Sequence, residues 1–595
     1  MTEAGPAGRA PAPAQPPSEP PSDQTPPAQP PPEPPSDQLP STELATDLPT
    51  EPAAGATEDS GRLIRASGAM AVGTVFSRGT GFLRVVVVAA ALGAGHGADA
   101  YNVANVLPNI VYELLLGGVL TSVVVPVLAA AARRDPDRGD GYAARLLTLV
   151  AGILGLTSLL AAAGAPLLIR LYGEFGPAER DLAVIFARFF LPQILFYGVG
   201  ATIGAVLNVR GRFAAPMWAP VLNNLVVIGA VLYFRTLPPA PPGELLTTAQ
   251  TLTLAIGTTA GIVVQTLALW PSLRRTGFRW RPRLDLRGSG LGGIGPLAGW
   301  VLVYVAVNQL GFLVVVRLAT AASEAAHSTS AATGFSPYFY AFSLFSVPYA
   351  VVAVSVITAL LPRMSRHAVD GQLPAVRSDL ARALRLAAVV LVPASVTFVV
   401  LGPLLGVAVF NNGSLGVADA RQTGLVLTAY SVGLLPFSGF QLQLRAFYAV
   451  QDTRTPALIN VVVNAVMVVA DLGLYAALPP HQRVIGLALG HSASYLAGFA
   501  LTNAVLDRRL PNRRREHVLR THLRLLVAAV LAVLPAYVVA QLLAGNGDAG
   551  AARSRLAVAV ALPLIGGLFV TVARRLRVAE VGALAAALPF PRHRV

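Results

Sequence analysis

The chain has 595 residues, of which 54% are hydrophobic and only 13% charged, with a mean hydropathy of +0.60 and a net charge of +15. Soluble domains carry about 25% charged residues, so an ordinary soluble globular protein is excluded. The absence of cysteine excludes disulfides, thiolate metal sites and cysteine nucleophiles.

Residues 1–60 are rich in proline and hold ten acidic residues against one basic residue, Arg9. They lack the large apolar side chains needed to offset chain entropy, so a disordered tail is expected. A proline-motif ligand for a partner and a plain solvated tail are both open. The first apolar run lies far from Met1 and no basic segment precedes it at the terminus, so no signal peptide is expected.

Beyond the tail, fourteen apolar segments follow, centred near Arg78, Glu113, Ile153, Phe196, Val226, Gly261, Val305, Ala350, Leu391, Gly433, Val463, Leu489, Leu531 and Leu564. Each is long enough to cross about 30 Å of hydrocarbon as a helix. Helices are the default there because backbone groups in lipid must be satisfied within the segment. An all-α polytopic membrane protein is therefore expected. The loops alternate in charge. Residues 133–138, 210–212, 274–287, 363–377 and 508–524 are rich in arginine, while 95–98, 173–179, 238–244, 323–334, 411–418 and 544–549 have few or none. This is a topology signal rather than a nucleic-acid footprint, and it puts both termini in the cytoplasm.

The chain also repeats itself. Asn208 to Pro216 (NVRGRFAAP) is followed eight residues later by Asn224, and Tyr448 to Pro456 (YAVQDTRTP) eight residues later by Asn464. Each stretch follows a Leu-Pro pair, Leu191-Pro192 or Leu435-Pro436. Ser122 to Pro126 likewise resembles Thr358 to Pro362. Segments 1–6 and 7–12 thus read as two pseudo-symmetric six-helix lobes, 61–288 and 289–510, with two extra helices in 511–595. Repeats of this kind often frame a central transport site.

The first spans hold charges. A charge at the bilayer centre costs about 3 kcal/mol on insertion scales, so Arg78, Arg84, Asp99 and Glu113 point to a polar pathway. Six residues separate Arg78 and Arg84, or roughly 120° and about 9 Å on a helix, so both could line a broad cavity at two depths. Glu113 near mid-span could pair with either one, as a structural or a functional ion pair. Asp99 could be a helix N-terminal carboxylate or part of an outer gate. The other in-span charges are Arg188, Arg317, Arg445 and Asp471; Arg188 and Arg317 lie nearer the outer end and could snorkel, while the deeper Asp471 could bind a cation or a proton. His96 and His327 show no metal-ligand spacing, so no metal site is expected. No P-loop, HExxH or GxSxG motif is present, so neither enzymatic chemistry nor direct ATP use is expected. A cavity with several arginines suits an anionic substrate.

The stretch Ser77 to Arg84 (SRGTGFLR), then Gly93-Ala-Gly, Asp99 to Ala104 (DAYNVA), Leu107-Pro-Asn109, Gly118 and Val125-Pro126, resembles the MurJ (MviN) family of lipid II flippases. The Asn208 to Pro216 and Phe447 to Pro456 motifs are similar to later ones of that family. The resemblance covers about 66–575 and implies the multidrug/oligosaccharidyl-lipid/polysaccharide exporter fold, with fourteen helices in two lobes. The implied activity is translocation of undecaprenyl-pyrophosphoryl-linked peptidoglycan precursor, lipid II, from the inner to the outer leaflet of a bacterial plasma membrane by alternating access. Export of another lipid-linked oligosaccharide or amphiphile, and a non-transporting scaffold recruiting cell-wall synthesis proteins through the tail, are the alternatives. Arg78, Arg84 and Asp99 match cavity residues of the family. Its second-helix arginine falls at Tyr112 and its eighth-helix arginine at Ser343, a loss that Arg317 could offset as a substrate contact. No cofactor is implied. Some members carry a sodium site in the second lobe, for which Asn308, Asn464 and Asp471 are the polar candidates. Coupling to a monovalent cation gradient or to the membrane potential would follow.

Overall fold

A computed structural model describes residues 54–114, 128, 137, 139–283, 295–326, 332–509, 515–545 and 550–582. Apart from its last seven residues, the expected tail lies outside the described residues, as do Gly118, Ser122 to Pro126 and His327. Those seven open the first helix, α1 (Ala54–Leu92).

Helix α2 (His96–Tyr112) follows α1 after a short turn. The first half continues with α3 (Asp140–Ala163), α4 (Ala165–Tyr172), α5 (Pro177–Phe190), α6 (Gln193–Val209), α7 (Ala214–Phe234), α8 (Thr248–Leu267) and α9 (Trp270–Arg274). The second half holds α10 (Gly295–Ala325), α11 (Phe335–Val369), α12 (Leu373–Phe410), α13 (Val417–Val432), α14 (Leu434–Ala449), α15 (Arg454–Ala477) and α16 (Arg483–Arg509). Two last helices, α17 (Arg515–Ala544) and α18 (Ala551–Arg575), pack on each other and on α12. No strand occurs among the described residues.

Twelve stretches are long and apolar enough to cross a bilayer, and the pair α13–α14, bent by 48° at its break, makes a thirteenth. These coincide with thirteen of the fourteen expected spans. The other, around Glu113, begins as α2 and leaves the described residues after 114. The chain is a multi-pass, all-helical membrane protein. Its outer surface is apolar, with Leu159, Val469 and Leu542 all more than two-thirds exposed. Helix seams use small residues instead, because backbones must approach closely where no hydrophobic effect drives association. Ala528, Ala532, Ala536 and Ala540 form one fully buried stripe on α17, and Ala557, Ala561 and Ala573 are fully buried on α18, which packs beside it.

The internal repeat is visible in the backbone. Helix α6 ends with Gly211 at φ 71° and a bond from Arg212 N to Leu207 O of 2.8 Å. Helix α14 ends the same way, with Gln451 at φ 59° and Asp452 N donating to Phe447 O at 2.9 Å. Both are left-handed helix closures of the Schellman type. The paired asparagines also correspond. Asn224 on α7 donates to Ser77 O and Thr80 Oγ1 on α1, and Asn464 on α15 donates to Asn308 Oδ1 on α10. The Leu-Pro positions break or bend both halves, between α5 and α6 and between α13 and α14.

Candidate functional site

Between the halves lies a cavity of about 490 Å³. Its walls come from α1, α2, α6, α7 and α8 on one side and α10, α11, α13, α15 and α16 on the other. Helix α2 supplies a polar stripe of Asn105, Asn109 and Glu113, spaced at four residues and so on one face. Across the cavity stand Asn308, Gln309 and Asn464. Arg84 and Glu113 are the charged lining residues, so the surface is rich in amides rather than arginines. Amides both donate and accept, which suits hydroxyl and peptide groups as well as phosphate oxygens.

Arg84 is half-buried in the wall, and no hydrogen bond or ion pair engages it among the described residues. Arg78 is exposed, about 9 Å further along α1 by helical rise. It is not a lining residue. The guanidinium of Arg445 lies over the Tyr448 ring at 5.6 Å, with its Nε buried and unpartnered. Glu113 pairs with neither arginine. Asn109 Nδ2 donates to it at 3.1 Å and Gln309 Nε2, from the other half, at 2.9 Å. The expected ion pair is thus replaced by amide bonds, because Gln309 reaches the carboxylate across the cavity.

The two halves meet at the arginine-poor end through α2–α11, α2–α10 and α4–α10. Asp99 is fully buried there and accepts from Phe335 N at 3.2 Å and Ser336 N at 2.6 Å. Helix α11 starts at Gly334, which has no side chain to cap its first N–H groups. Asp99 lies in the first turn of its own helix, as the helix-terminal reading has it, and it also caps α11 from the opposite half. A Cβ at Gly334 would collide with the carboxylate. Asn102 adds bonds to Ser336 Oγ at 2.9 Å and Tyr340 Oη at 3.2 Å, and Tyr340 donates to Gly93 O. Ser414 N donates to Ala90 O at 2.8 Å, where Gly93 turns at φ 71°.

Arg317 also sits at this end. Its guanidinium pairs with Glu174 of the first half and does not line the cavity. Ser343 donates back to Phe339 O on its own helix, and the Tyr112 ring packs at a tilt against Tyr197, centroids 5.9 Å apart. Neither replacement position lines the cavity. Asn308 and Asn464 are brought together at 3.1 Å, while Asp471 lies two turns further along α15. Asp471 is fully buried against Gly490 of α16, and neither carboxylate oxygen has a hydrogen-bond partner among the described residues. A bare buried carboxylate is very costly, so a proton or a cation must compensate it.

Sequence reasoning missed three features. The asparagine stripe of α2 was legible from its helical spacing. The aromatic nest around the half-buried His491, made by Phe342, Tyr430, Phe437 and Tyr495, joins four helices and had no local signal. The third is a cluster at the arginine-poor end, where the fold sets His96 beside Glu179 and Glu324. These residues are far apart in the chain, so no spacing rule could have found them.

A family model described as lipid II flippase MurJ matches residues 88–556. A probable lipid II flippase MurJ of Haemophilus influenzae is 27% identical over 438 residues, covering 71% of this chain and 82% of that protein. A solved structure of a lipid II flippase MurJ in an inward closed conformation is 19% identical, covers 85% of this chain and 99% of its own, and superposes with a TM-score of 0.66. An inward-facing multidrug resistance MATE transporter shares the fold at 13% identity, 72% and 94% coverage and a TM-score of 0.58.

Proposed function

The chain belongs to the MurJ lipid II flippase family, and from that premise we propose that it carries lipid II from the inner to the outer leaflet of a bacterial plasma membrane. The observation that supports this reading best is the polar cavity between two halves which, apart from the Gln309–Glu113 bond across it, are joined by side-chain bonds at one end among the described residues. Among the described residues, Arg210 pairs with Asp140 and Arg377 with Asp507, each within its own half. By the positive-inside rule the arginine-rich end is cytoplasmic, so both termini lie inside and the cavity is closed toward the outside. The lobes 61–288 and 289–510 would then rock about the cavity, with residues 511–595 riding on the second.

In this scheme Arg78 and Arg445 meet the anionic headgroup at the entrance and Arg84 receives its pyrophosphate deeper in. Guanidinium–phosphate bonds are charge-assisted and bidentate, and an unpaired Arg84 leaves its donors available to substrate. The amides then contact the sugar-peptide portion. Asp471 serves as the site for a proton or monovalent cation, which would couple transport to an ion gradient. Asn308 and Asn464 sit at the cavity wall instead and tie α10 to α15.

The test is depletion of the protein in its own cells, followed by measurement of lipid II in the inner leaflet. Accumulation there, relieved by the wild-type chain and not by Arg84→Ala, supports the reading. Accumulation of a different lipid-linked oligosaccharide would transfer the substrate to that compound. Unchanged lipids with a cell-wall defect would favour a scaffold.

A further inference from the structure

The residues at the arginine-poor end carry more than a hydrogen-bonded seam. His96 opens α2, Glu179 lies in the first turn of α5, and Glu324 lies near the end of α10, so the first two belong to one half and the third to the other. His96 Nδ1 is 3.1 Å from Glu179 Oε2 and 3.8 Å from Glu324 Oε1, and one ligand atom from each residue lies within 4.8 Å of the other two. Gly176 N donates to Glu324 Oε1 at 2.9 Å and orients it.

Two carboxylates converge here on a single imidazole. Glu179 is only 4% exposed, and its Oε1 is buried with no hydrogen-bond partner. The fully buried carboxylate of Asp99 lies three residues along α2 from His96 and adds to the negative field. Arg180 donates to Phe175 O and Arg317 pairs with Glu174. The buried, unbonded oxygen of Glu179 thus lies in a group whose three donor atoms already converge on one point.

We propose that His96, Glu179 and Glu324 bind a divalent transition-metal cation of the zinc class, which pins the two halves together at the arginine-poor end. Imidazole nitrogen and carboxylate oxygen are both zinc ligands, and three protein ligands with an open fourth position is the usual count for an accessible site. Bonds of about 2.0–2.2 Å in a tetrahedron put ligand atoms roughly 3.3 Å apart, against the 3.1 and 3.8 Å from His96 to the two glutamates. The fourth position is open to water, because His96 and Glu324 are about one-third exposed. That exposure also supplies the entry path, from the side opposite the arginine-rich loops. A cation bound by both halves favours the joined state by as much as it prefers that state over the separated one. External metal therefore holds the transporter with its cavity open only at the arginine-rich end. The inference is independent of what the cavity carries.

The test uses the full-length protein in detergent and zinc chloride as the probe. Calorimetry should show one saturable zinc per chain, reversed by EDTA, and weakened at least about tenfold by Glu324→Gln and by His96→Gln. The natural absence of cysteine allows paired spin labels at Leu167→Cys and Ala418→Cys, exposed positions on opposite halves. Zinc should narrow their distance distribution toward its short end, and this response should vanish when Glu324→Gln is added. No saturable binding up to about 1 mM zinc, or binding unchanged in both variants, overturns the site. Binding that leaves the label distances unmoved overturns the pinning role.

Discussion

At the arginine-poor end, Asp99, Asn102 and Glu174 of the first half bond to Phe335, Ser336, Tyr340 and Arg317 of the second. At the arginine-rich end, Arg210 bonds to Asp140 and Arg377 to Asp507, each within its own half. The same residue types thus serve opposite ends of the molecule differently. Polar contacts across the halves can break and reform with water, whereas the pairs inside each half keep it whole while it moves. A bundle that must open at alternate ends needs both kinds.

Breaking the seam at its most buried point should have the largest effect. Asp99→Ala strands the first N–H groups of α11 and removes two charge-assisted bonds, a loss of about 3 kcal/mol from the joined state. That is roughly a hundredfold shift in the ratio of joined to separated halves, readable as a broadened distance between labels on the two halves. An unchanged distribution would show that apolar packing alone holds this end.

Next in size is the cavity. Arg84→Ala should lower lipid II flipping at least about tenfold at normal membrane levels, with Arg84→Lys intermediate because it keeps the charge but loses the fork. Normal complementation by Arg84→Ala would remove this residue from substrate binding. Asp471→Asn sharpens the comparison differently. It breaks no ion pair, so stability should hold, while flipping should lose its response to an imposed cation gradient or membrane potential. A retained response would dismiss Asp471 as the coupling site.

Smaller still is Arg317→Ala. The Arg317–Glu174 pair is more than one-third exposed on both sides, and such pairs contribute about 0.2–1 kcal/mol. Flipping should change less than about fivefold, and adding Ser343→Arg should not restore it, since Ser343 does not line the cavity. Rescue by Ser343→Arg would mean that the two positions do share a field. Deleting residues 1–53 should change neither flipping rate nor thermal stability, because they lack the large apolar side chains needed to build a core. A loss of flipping with normal insertion would give the tail a transport role.

Thirteen spans, the alternating arginine loops and the repeat were all legible in the chain, because each depends on local hydropathy or on a short motif. Asp99 and Arg84 stood out for the same reason, as ionisable groups in apolar segments. The site was less legible. Glu113 met Gln309, 196 residues away, rather than an arginine of the neighbouring helix. Arg317 found Glu174 instead of the cavity.

By itself, the sequence determined that this is a helical membrane protein of two related halves. Burial of apolar length and the placement of loop charges are properties of each segment in its solvent, and neither needs a partner. Only the tertiary structure decided which polar groups meet. Asp99 became a clamp because α11 begins with a glycine that cannot cap itself, and His96 joined two glutamates because three helix ends converge at one point. Such meetings depend on how the halves dock, and docking geometry is not a local property of the chain.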